Sequence, residues 1–457
     1  MTEASFSEKI AREVSALQLT DIPEAVVTAA KLHLLDSIGC ILAGSRLEPG
    51  KLAYEMVAMR NDLTPGIVLL GTHARAAYLD AAQAMSVAAH CGEMDDIHSA
   101  SGVCIGAMVV PALLSLAQKF GGNGRRFLEA LIAGYEVTTR VGLAIDGASL
   151  FARGGWWPST VCGGFGVAVA GAKFLGWAAD KMVNAIGIAS LHAGGMLTGG
   201  HEGATARHLV FGRAAENGLL SLAAVEQGFT GPKRAFEDPR GFCLTLCSEP
   251  RWEYLEPGAD YFLPDVAFKP YPCARQLHAG VECLLRIMEQ HAVSFPSIES
   301  IELELPTPIA SMFDRRGSVT NRAALLGSGQ FVMAVTAYRG RIDLDSFSDE
   351  FVTNDAIRSL SGRVIVKPER EMDRHFPRYW PARVTIRSSK RAWTDEVIIP
   401  KGERGNPMSL SQIQSKFLPL AAPVIGRVRC VKTFLQIEDL EVAESLEPLV
   451  SDLALSR

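Results

Sequence analysis

An acidic and histidine-containing cluster lies between two long uncharged segments, and this arrangement restricts the folds that the chain can adopt. The cluster, residues 90–98, holds three carboxylates and two imidazoles. No charged side chain occurs in residues 81–89 before it or in residues 103–117 after it. Helices that are apolar on all sides belong in protein cores. We therefore expect cluster 90–98 at a buried helix end or turn rather than in a surface loop.

Three interpretations of cluster 90–98 are open at this point. Its side chains could bind a divalent metal, although HExxH and comparable ligand spacings are absent from it. They could form an acid–base site, since crowding moves carboxylate and imidazole pKa values toward neutrality. Alternatively, Asp95 and Asp96 cap helix amides while His98 binds the backbone.

The composition excludes several classes of protein. A chain of 457 residues with 48% hydrophobic and 21% charged residues can bury a large core and is not disordered. Its net charge of −5 and the lack of a Lys/Arg block argue against nucleic-acid binding. Nine scattered cysteines without a CxxC pair are typical of a reducing compartment, and no apolar signal segment begins the chain. We therefore expect a cytoplasmic protein.

Two uncharged segments, residues 156–172 and 183–200, invite comparison with membrane spans. Both are rich in Gly, Ala and Ser, and both fall short of the ~20 strongly apolar residues that a span needs. We interpret them as closely packed core helices and expect no membrane association.

The hydrophobic pattern predicts a fold of the α+β class that is mainly helical. Apolar residues recur at helical spacing from residue 6 to residue 227, and the pattern there indicates no strand. Later, strict alternation predicts a strand at 297–305, and the sequence also indicates strands at 364–368, 382–387 and 393–399. Proline-rich stretches near 264–272 and 400–407 mark the change from the helical pattern to the strand-containing pattern and the return to the helical pattern. We expect a large all-helical domain, residues 1–268 plus 405–457, with an inserted smaller α/β lid domain, residues 269–404.

Short motifs along nearly the whole chain occur in the order and spacing of one enzyme family. They are His33-Leu-Leu-Asp-Ser-Ile-Gly39, cluster 90–98, Gly134-Tyr-Glu-Val137, Gly212-Arg-Ala-Ala215, Gly228-Phe-Thr-Gly-Pro232, Phe268-Lys-Pro-Tyr-Pro-Cys273 and Asn406-Pro-Met408. On these motifs the chain resembles the MmgE/PrpD proteins, which include 2-methylcitrate dehydratase, cis-aconitate decarboxylase and iminodisuccinate epimerase. The resemblance implies a helical domain from both chain ends, an α/β lid, an active site between them and a homodimer without cofactor or metal.

The resemblance also identifies candidate site residues. Positions that keep the family residue are Asp95, Asp96, His98, Lys269 and His278. Other positions depart from it. Glu93 replaces an Asp, Ile97 a Thr, Cys104 and Trp157 each a His, Arg207 a Lys and Phe331 a Tyr.

We expect Lys269 and His98 to carry protons and Asp95 to orient them as the catalytic set. The expected substrate-binding residues are Arg207, His208, Arg275, His278, Glu93, Cys104, Trp157 and Phe331. Arg207 would bind a carboxylate and cannot act as a base, because a guanidinium stays protonated. Structural alternatives remain: a solvated linker lysine at Lys269, a hydrogen-bonded core histidine at His278 and core packing at Trp157.

The sequence thus predicts a cofactor-free enzyme that moves a proton α to a carboxylate of a small substrate, as a lyase or an epimerase. The alternative is a paralogue that has lost its chemistry and acts as a binding protein. Since each lost acid–base group costs about 10²–10⁴ in rate, the replaced positions predict negligible turnover of 2-methylcitrate and cis-aconitate.

Overall fold

The computed structural model describes residues 3–60, 66–258, 260–316 and 321–455, and its first half is helical. The helices of this half are α1 (Phe6–Ala16), α2 (Glu24–Gly44), α3 (Glu48–Ala58), α4 (Tyr78–Cys91), α5 (Gly106–Phe120), α6 (Gly124–Ala144), α7 (Gly147–Arg153), α8 (Pro158–Phe174), α9 (Ala179–Leu191), α10 (Thr198–Glu202), α11 (Leu209–Glu226) and α12 (Phe242–Leu246). Strands β1 (Ile67–Val68) and β2 (Arg75–Ala76) form a short antiparallel pair that the sequence pattern did not predict.

Helix α8 is the centre of this helical half. Every one of its residues is buried, and it packs against α6 and α11. Small residues make this close approach possible. A Cβ atom at Gly166 would lie 1.7 Å from Thr138 Oγ1, and one at Gly171 would lie 2.3 Å from Leu222 Cδ1. The glycine-rich run in the sequence is therefore a packing feature of the core.

Helix α2 is long and apolar enough to cross a membrane by length and composition, and it is alone in this among the described residues. The protein itself buries 67% of its most apolar window. The same helix carries His33 and Asp36 into a buried polar network. These contacts are those of a core helix.

A mixed sheet with its own helices follows. The elements are α13 (His278–Gln290), β3 (Ser300–Pro306), α14 (Thr307–Phe313), α15 (Arg322–Leu325), α16 (Gly329–Arg339), α17 (Asp349–Val352), α18 (Asp355–Ser361), β4 (Val364–Glu369), β5 (Ala382–Arg387) and β6 (Ala392–Val397). The strand order is β4-β3-β5-β6; β3 and β4 are parallel, and the other neighbours are antiparallel. Helix α13 covers β5 and β6, while α14 and α16 cover β4. All four predicted strands occur within a few residues of their expected positions.

The chain then returns to its beginning. Helices α19 (Leu410–Ile425) and α20 (Arg427–Glu438) pack on α2, and α21 (Glu447–Leu453) packs on α20 and α5. The mainly helical α+β class is confirmed. The division into domains at 268/269 and 404/405 remains a prediction.

Glu136 of α6 fixes the segment that leads to Lys269. Its carboxylate accepts hydrogen bonds from the backbone N–H groups of Phe262 (3.0 Å) and Leu263 (2.8 Å). Burial raises the pKa of Glu136 from 4.5 to about 7, because these bonds and Arg140 do not fully offset the loss of water. The folded protein therefore holds a proton on Glu136 more tightly than the unfolded chain.

This difference predicts a pH-dependent stability that Glu136→Gln removes. Between pH 4.5 and about 7 the folded state binds more protons at this residue, so the free energy of unfolding of the wild type falls with rising pH. Relative to the variant, we expect a fall of on the order of 1 to 3 kcal/mol. Chemical denaturation of both proteins at several pH values measures it. A wild-type advantage that stays constant or grows with pH would contradict the assignment.

Candidate active site

The loop between α4 and α5 contains cluster 90–98, and its backbone is fixed at both ends. The Asp96 carboxylate accepts the N–H of Gly106, the first residue of α5, at 2.8 Å. Ile97 and Ala267 exchange two backbone hydrogen bonds, of 3.0 and 2.7 Å, which joins the loop to the segment before Lys269. Glu93 has a φ of 53°, a left-handed conformation that costs energy for a residue other than glycine. The capping interpretation of the cluster thus applies to Asp96.

A buried polar network supports this loop from behind. Asp96 Oδ2 accepts the Tyr135 hydroxyl at 2.6 Å and lies 2.8 Å from His33 Nδ1. Lys416 of α19 pairs with Asp36 at 2.5 Å and donates to the Met94 carbonyl at 2.6 Å. Each buried charge has a partner, as burial requires. The network holds the loop rigid through contacts from both ends of the chain.

Lys269 contacts two carboxylates of cluster 90–98. Its Nζ lies 3.3 Å from Glu93 Oε2, 3.2 Å from Asp95 Oδ1 and 3.8 Å from Cys104 Sγ. The side chain is buried, so it is not the solvated linker lysine considered above. Prolines on both sides keep its segment out of a helix.

The charges of this cluster hold one another ionised. Burial would raise the pKa of Glu93, but the nearby cations, first Lys269 and then Arg207, lower that pKa to about 2. Asp95 is lowered in the same way: burial opposes ionisation, and the charge of Lys269 overcomes it to keep the pKa of Asp95 well below its ordinary value. Conversely, burial would lower the pKa of Lys269, but the carboxylates raise it well above its usual value. Lys269 is therefore an ammonium group at neutral pH and can donate a proton or stabilise negative charge.

Lys269, Glu93 and Asp95 form an ion cluster, and a cavity opens beside it. Side chains from distant parts of the sequence line this cavity. Of the predicted site residues, those that line it are Glu93, Cys104, Trp157, Arg207, Lys269 and Arg275. Its opposite wall comes from the sheet-containing part of the chain, at Met312, Arg315 and Trp380.

The arginines of the cavity differ in their partners. Arg207 donates to Glu93 and to the Ala323 carbonyl, and its guanidinium lies 5.3 Å from the centre of the Trp157 ring. Arg275 is neutralised by Glu403 at 2.9 Å and donates to the Lys401 carbonyl at 2.9 Å. Arg275 therefore ties the cavity wall together, whereas Arg207 faces both the ion cluster and the open space.

Other predicted site residues lie outside the cavity lining. Asp95 is behind Lys269 and contacts it directly. His98 Nδ1 pairs with Ser101 Oγ at 3.0 Å, and burial lowers the pKa of His98 to about 4, so its ring is neutral and turned to its own loop. His278 lies 3.2 Å from Arg275 and 3.1 Å from the Cys273 carbonyl, as a hydrogen-bonded core histidine does.

His208 and Phe331 also lie outside the lining. His208 is buried with its ring centre 5.4 Å from that of His90, and burial holds its pKa well below the ordinary value. Phe331 of α16 packs on Phe347, which lies after that helix, with ring centres 5.6 Å apart. His208, His278 and Phe331, predicted to contact the substrate, therefore do not line the cavity in this structure. The same holds for His98, predicted to carry a proton.

Among the titratable side chains of the cavity lining, the sequence reasoning missed two. His90 belongs to cluster 90–98, but its pairing with Asp95 crosses a helix end at a spacing that follows no helical or strand period. Arg315 follows α14 and belongs to no motif, so only the fold brings it to the cavity.

Three side chains offer a possible metal-binding group. One ligand atom each of His90, Asp95 and Cys104 lies within 4.8 Å of the others. Imidazole, carboxylate and thiolate together suit a borderline cation such as zinc. However, Asp95 already binds the ammonium of Lys269, and burial raises the pKa of the Cys104 thiol well above its ordinary value. A metal here would compete with Lys269 for Asp95, and the expected absence of a metal remains a prediction.

Comparison with known proteins identifies the family. The model of the MmgE/PrpD N-terminal domain matches residues 8–255, and that of the MmgE/PrpD C-terminal domain matches residues 271–439. A cis-aconitate decarboxylase-like protein of Aspergillus oryzae is 27% identical over 98% of this chain and 97% of its own length. The cis-aconitate decarboxylase of Aspergillus terreus is 26% identical over 96% and 93%, and that of Homo sapiens is 24% identical over 97% and 94%. The chain belongs to the MmgE/PrpD family.

Proposed function

We propose that the protein is a lyase that acts on a small substrate with at least two carboxylates and breaks a bond at the carbon next to one of them. The observation that carries this proposal is the ammonium of Lys269, held between Glu93 and Asp95 at the edge of an arginine-lined cavity. Family membership and the lyase relatives support the reaction class.

The chemistry requires a cation at the reacting carbon. When a bond to that carbon breaks, its electron pair spreads into the adjacent carboxylate, and fixed positive charge lowers the energy of this state. Lys269 supplies such a charge, since its raised pKa keeps it protonated. The same proton is available for a leaving group or for the carbon itself. Lys269 is thus the proton donor of the proposed reaction rather than its base.

Arg315 is the strongest indication of a second carboxylate. Its guanidinium donates to the carbonyls of Met312 (3.2 Å) and Ala324 (3.0 Å), and it forms no ion pair with a carboxylate in the part of the chain that the structure describes. Residues 317–320, which follow, contain no acid. Burial, and then repulsion by Arg207, lower the pKa of Arg315 to about 10. A partly buried cation without a paired carboxylate is stabilised when an anion binds beside it.

The cavity as a whole carries surplus positive charge. Arg275 and Glu403 neutralise each other, and Lys269 and Arg207 pair with Glu93 and Asp95, which leaves Arg315 on the opposite wall without a carboxylate among the described residues. A monocarboxylate could satisfy one arginine or the lysine, whereas a di- or tricarboxylate can reach both walls. The placement of Lys269 and Arg315 on different walls, rather than the net charge, favours a polycarboxylate substrate.

The fungal and human relatives are named for the decarboxylation of cis-aconitate, a tricarboxylate. Loss of CO₂ from such a molecule leaves an electron pair on carbon, as the proposed reaction does. The replaced positions Glu93, Cys104, Trp157 and Arg207 lie at the cavity here, so we keep the expectation of negligible turnover of cis-aconitate and 2-methylcitrate. Proton return to give an epimer is the finer alternative to elimination. We also propose a homodimer without cofactor, on the strength of the family resemblance, and a cytoplasmic location, on the strength of the scattered cysteines.

Lys269→Gln should abolish the reaction. The variant removes the proton donor and leaves Glu93 and Asp95 without their shared cation, so we expect kcat to fall by about 10²–10⁴ or more. Lys173→Gln is the matched control, because Lys173 of α8 is also buried but pairs with Glu129 of α6 and does not line the cavity. Product formation from a panel of di- and tricarboxylates, followed by NMR, measures the effect. Full activity of the Lys269 variant would refute the role, and wild-type binding without turnover would favour the binding-protein alternative.

Arg315→Gln should weaken polycarboxylate binding selectively. A charge-assisted hydrogen bond contributes roughly 1.5–3 kcal/mol, so we expect KM to rise about tenfold to a hundredfold with a smaller change in kcat. The neighbouring Arg316→Gln, whose side chain is exposed and pairs with Asp314, is the control. Calorimetry with tricarballylate and with butyrate gives the same contrast without turnover. Equal loss of affinity in both variants would argue against a specific contact.

A further inference from the structure

His90, at the last turn of α4, is a buried cavity residue for which the proposed reaction has so far no use. Its ring is 1% exposed and lines the cavity. Nδ1 lies 2.9 Å from Asp95 Oδ2. Nε2 has no hydrogen-bond partner among the described residues, and its nearest acid, Glu93 Oε1, is 3.6 Å away. A buried polar atom without a partner is unusual unless it serves a function.

We propose that His90 is the catalytic base of this site and that Asp95 is its positioning residue. The proposal rests on the proposed function above and adds the group that takes a proton from the substrate. No family motif quoted above assigns this role to His90.

The contact with Asp95 determines which ring nitrogen is basic. An ionised carboxylate only accepts hydrogen bonds, so Nδ1 must carry the proton that Asp95 receives. In the neutral ring, Nε2 is then the nitrogen without a proton, and its lone pair can accept one. After Nε2 has taken a proton, the nearby carboxylate of Glu93 stabilises the imidazolium.

The packing around His90 keeps the ring in this orientation. It stacks on Phe211 with ring centres 3.5 Å apart and an interplanar angle of 17°, and Trp157 meets it edge-on at 5.8 Å. Further titratable or charged groups near it among the described residues are Cys104, His208 and Arg207, together with Lys269. A ring held in this way does not need to reorient during a reaction, which is the advantage of a preorganised base.

One carboxylate therefore orients both a base and an acid. Asp95 Oδ2 faces His90 and Oδ1 faces Lys269. In a β-elimination, His90 Nε2 takes a proton from the carbon next to a carboxylate. The electron pair of that C–H bond forms a C=C bond, and the leaving group departs with the proton of Lys269. His90 then returns its proton to water, and Lys269 takes one up. Decarboxylation needs a proton donor alone, so the pair favours β-elimination or epimerisation.

The test uses the full-length protein with ¹⁵N-labelled histidine. Long-range ¹H–¹⁵N NMR of the wild type should show that the neutral His90 ring carries its proton on Nδ1, and Asp95→Asn should shift that proton toward Nε2. This readout needs no substrate, and His90→Gln assigns the signal. A wild-type His90 protonated at Nε2 would overturn the inference.

The kinetic arm separates this inference from the proposed function. With any polycarboxylate that the wild type converts, His90→Gln should lower kcat about 10²–10⁴-fold with KM changed less than about threefold. The remote His291→Gln, at the end of α13, should match the wild type. Asp95→Asn should lower kcat and alter its pH profile. Wild-type turnover that His90→Gln retains overturns the inference alone, whereas no turnover of any polycarboxylate by the wild type overturns the proposed function.

Discussion

The ion cluster around Lys269 is the interaction on which the site depends. An ammonium group and two carboxylates share one buried space, and each would be costly without the others. The partners come from positions far apart in the sequence, so the cluster forms only when the loop after α4 meets the segment before α13. Formation of the site is thus part of folding. The pKa shifts of the cluster follow from this closeness and keep the donor protonated where bond cleavage needs positive charge.

Several weaker contacts keep that cluster in place. Asp96 caps α5 and accepts Tyr135, and Glu136 fixes the backbone near residue 262. The left-handed backbone at Glu93 is maintained by this support, since strained conformations persist at sites where surrounding contacts over-determine them. The opposite wall of the cavity contributes Arg315, which gives the site two separated positions for anions. Reaction chemistry and substrate recognition therefore come from different parts of the chain.

The sequence predicted the parts that depend on local periodicity. Helical spacing and strict alternation located the long helices and the four-stranded sheet, and the uncharged flanks of cluster 90–98 correctly placed it in the interior. Strands β1 and β2 escaped because two residues have no measurable period. His90 and Arg315 were missed since their roles depend on which side chain each meets across the fold. Conversely, the family resemblance selected His98 as a proton carrier, but its ring is directed to Ser101.

The most direct test of the account is the position of a bound polycarboxylate. A crystal structure of the wild type with tricarballylate, which is not expected to react, would locate each carboxylate. We predict one carboxylate within hydrogen-bond distance of Lys269 Nζ and a second on the guanidinium of Arg315. A ligand bound at saturating concentration away from this cavity, with the contacts of Lys269 and Arg315 unchanged, would contradict the account.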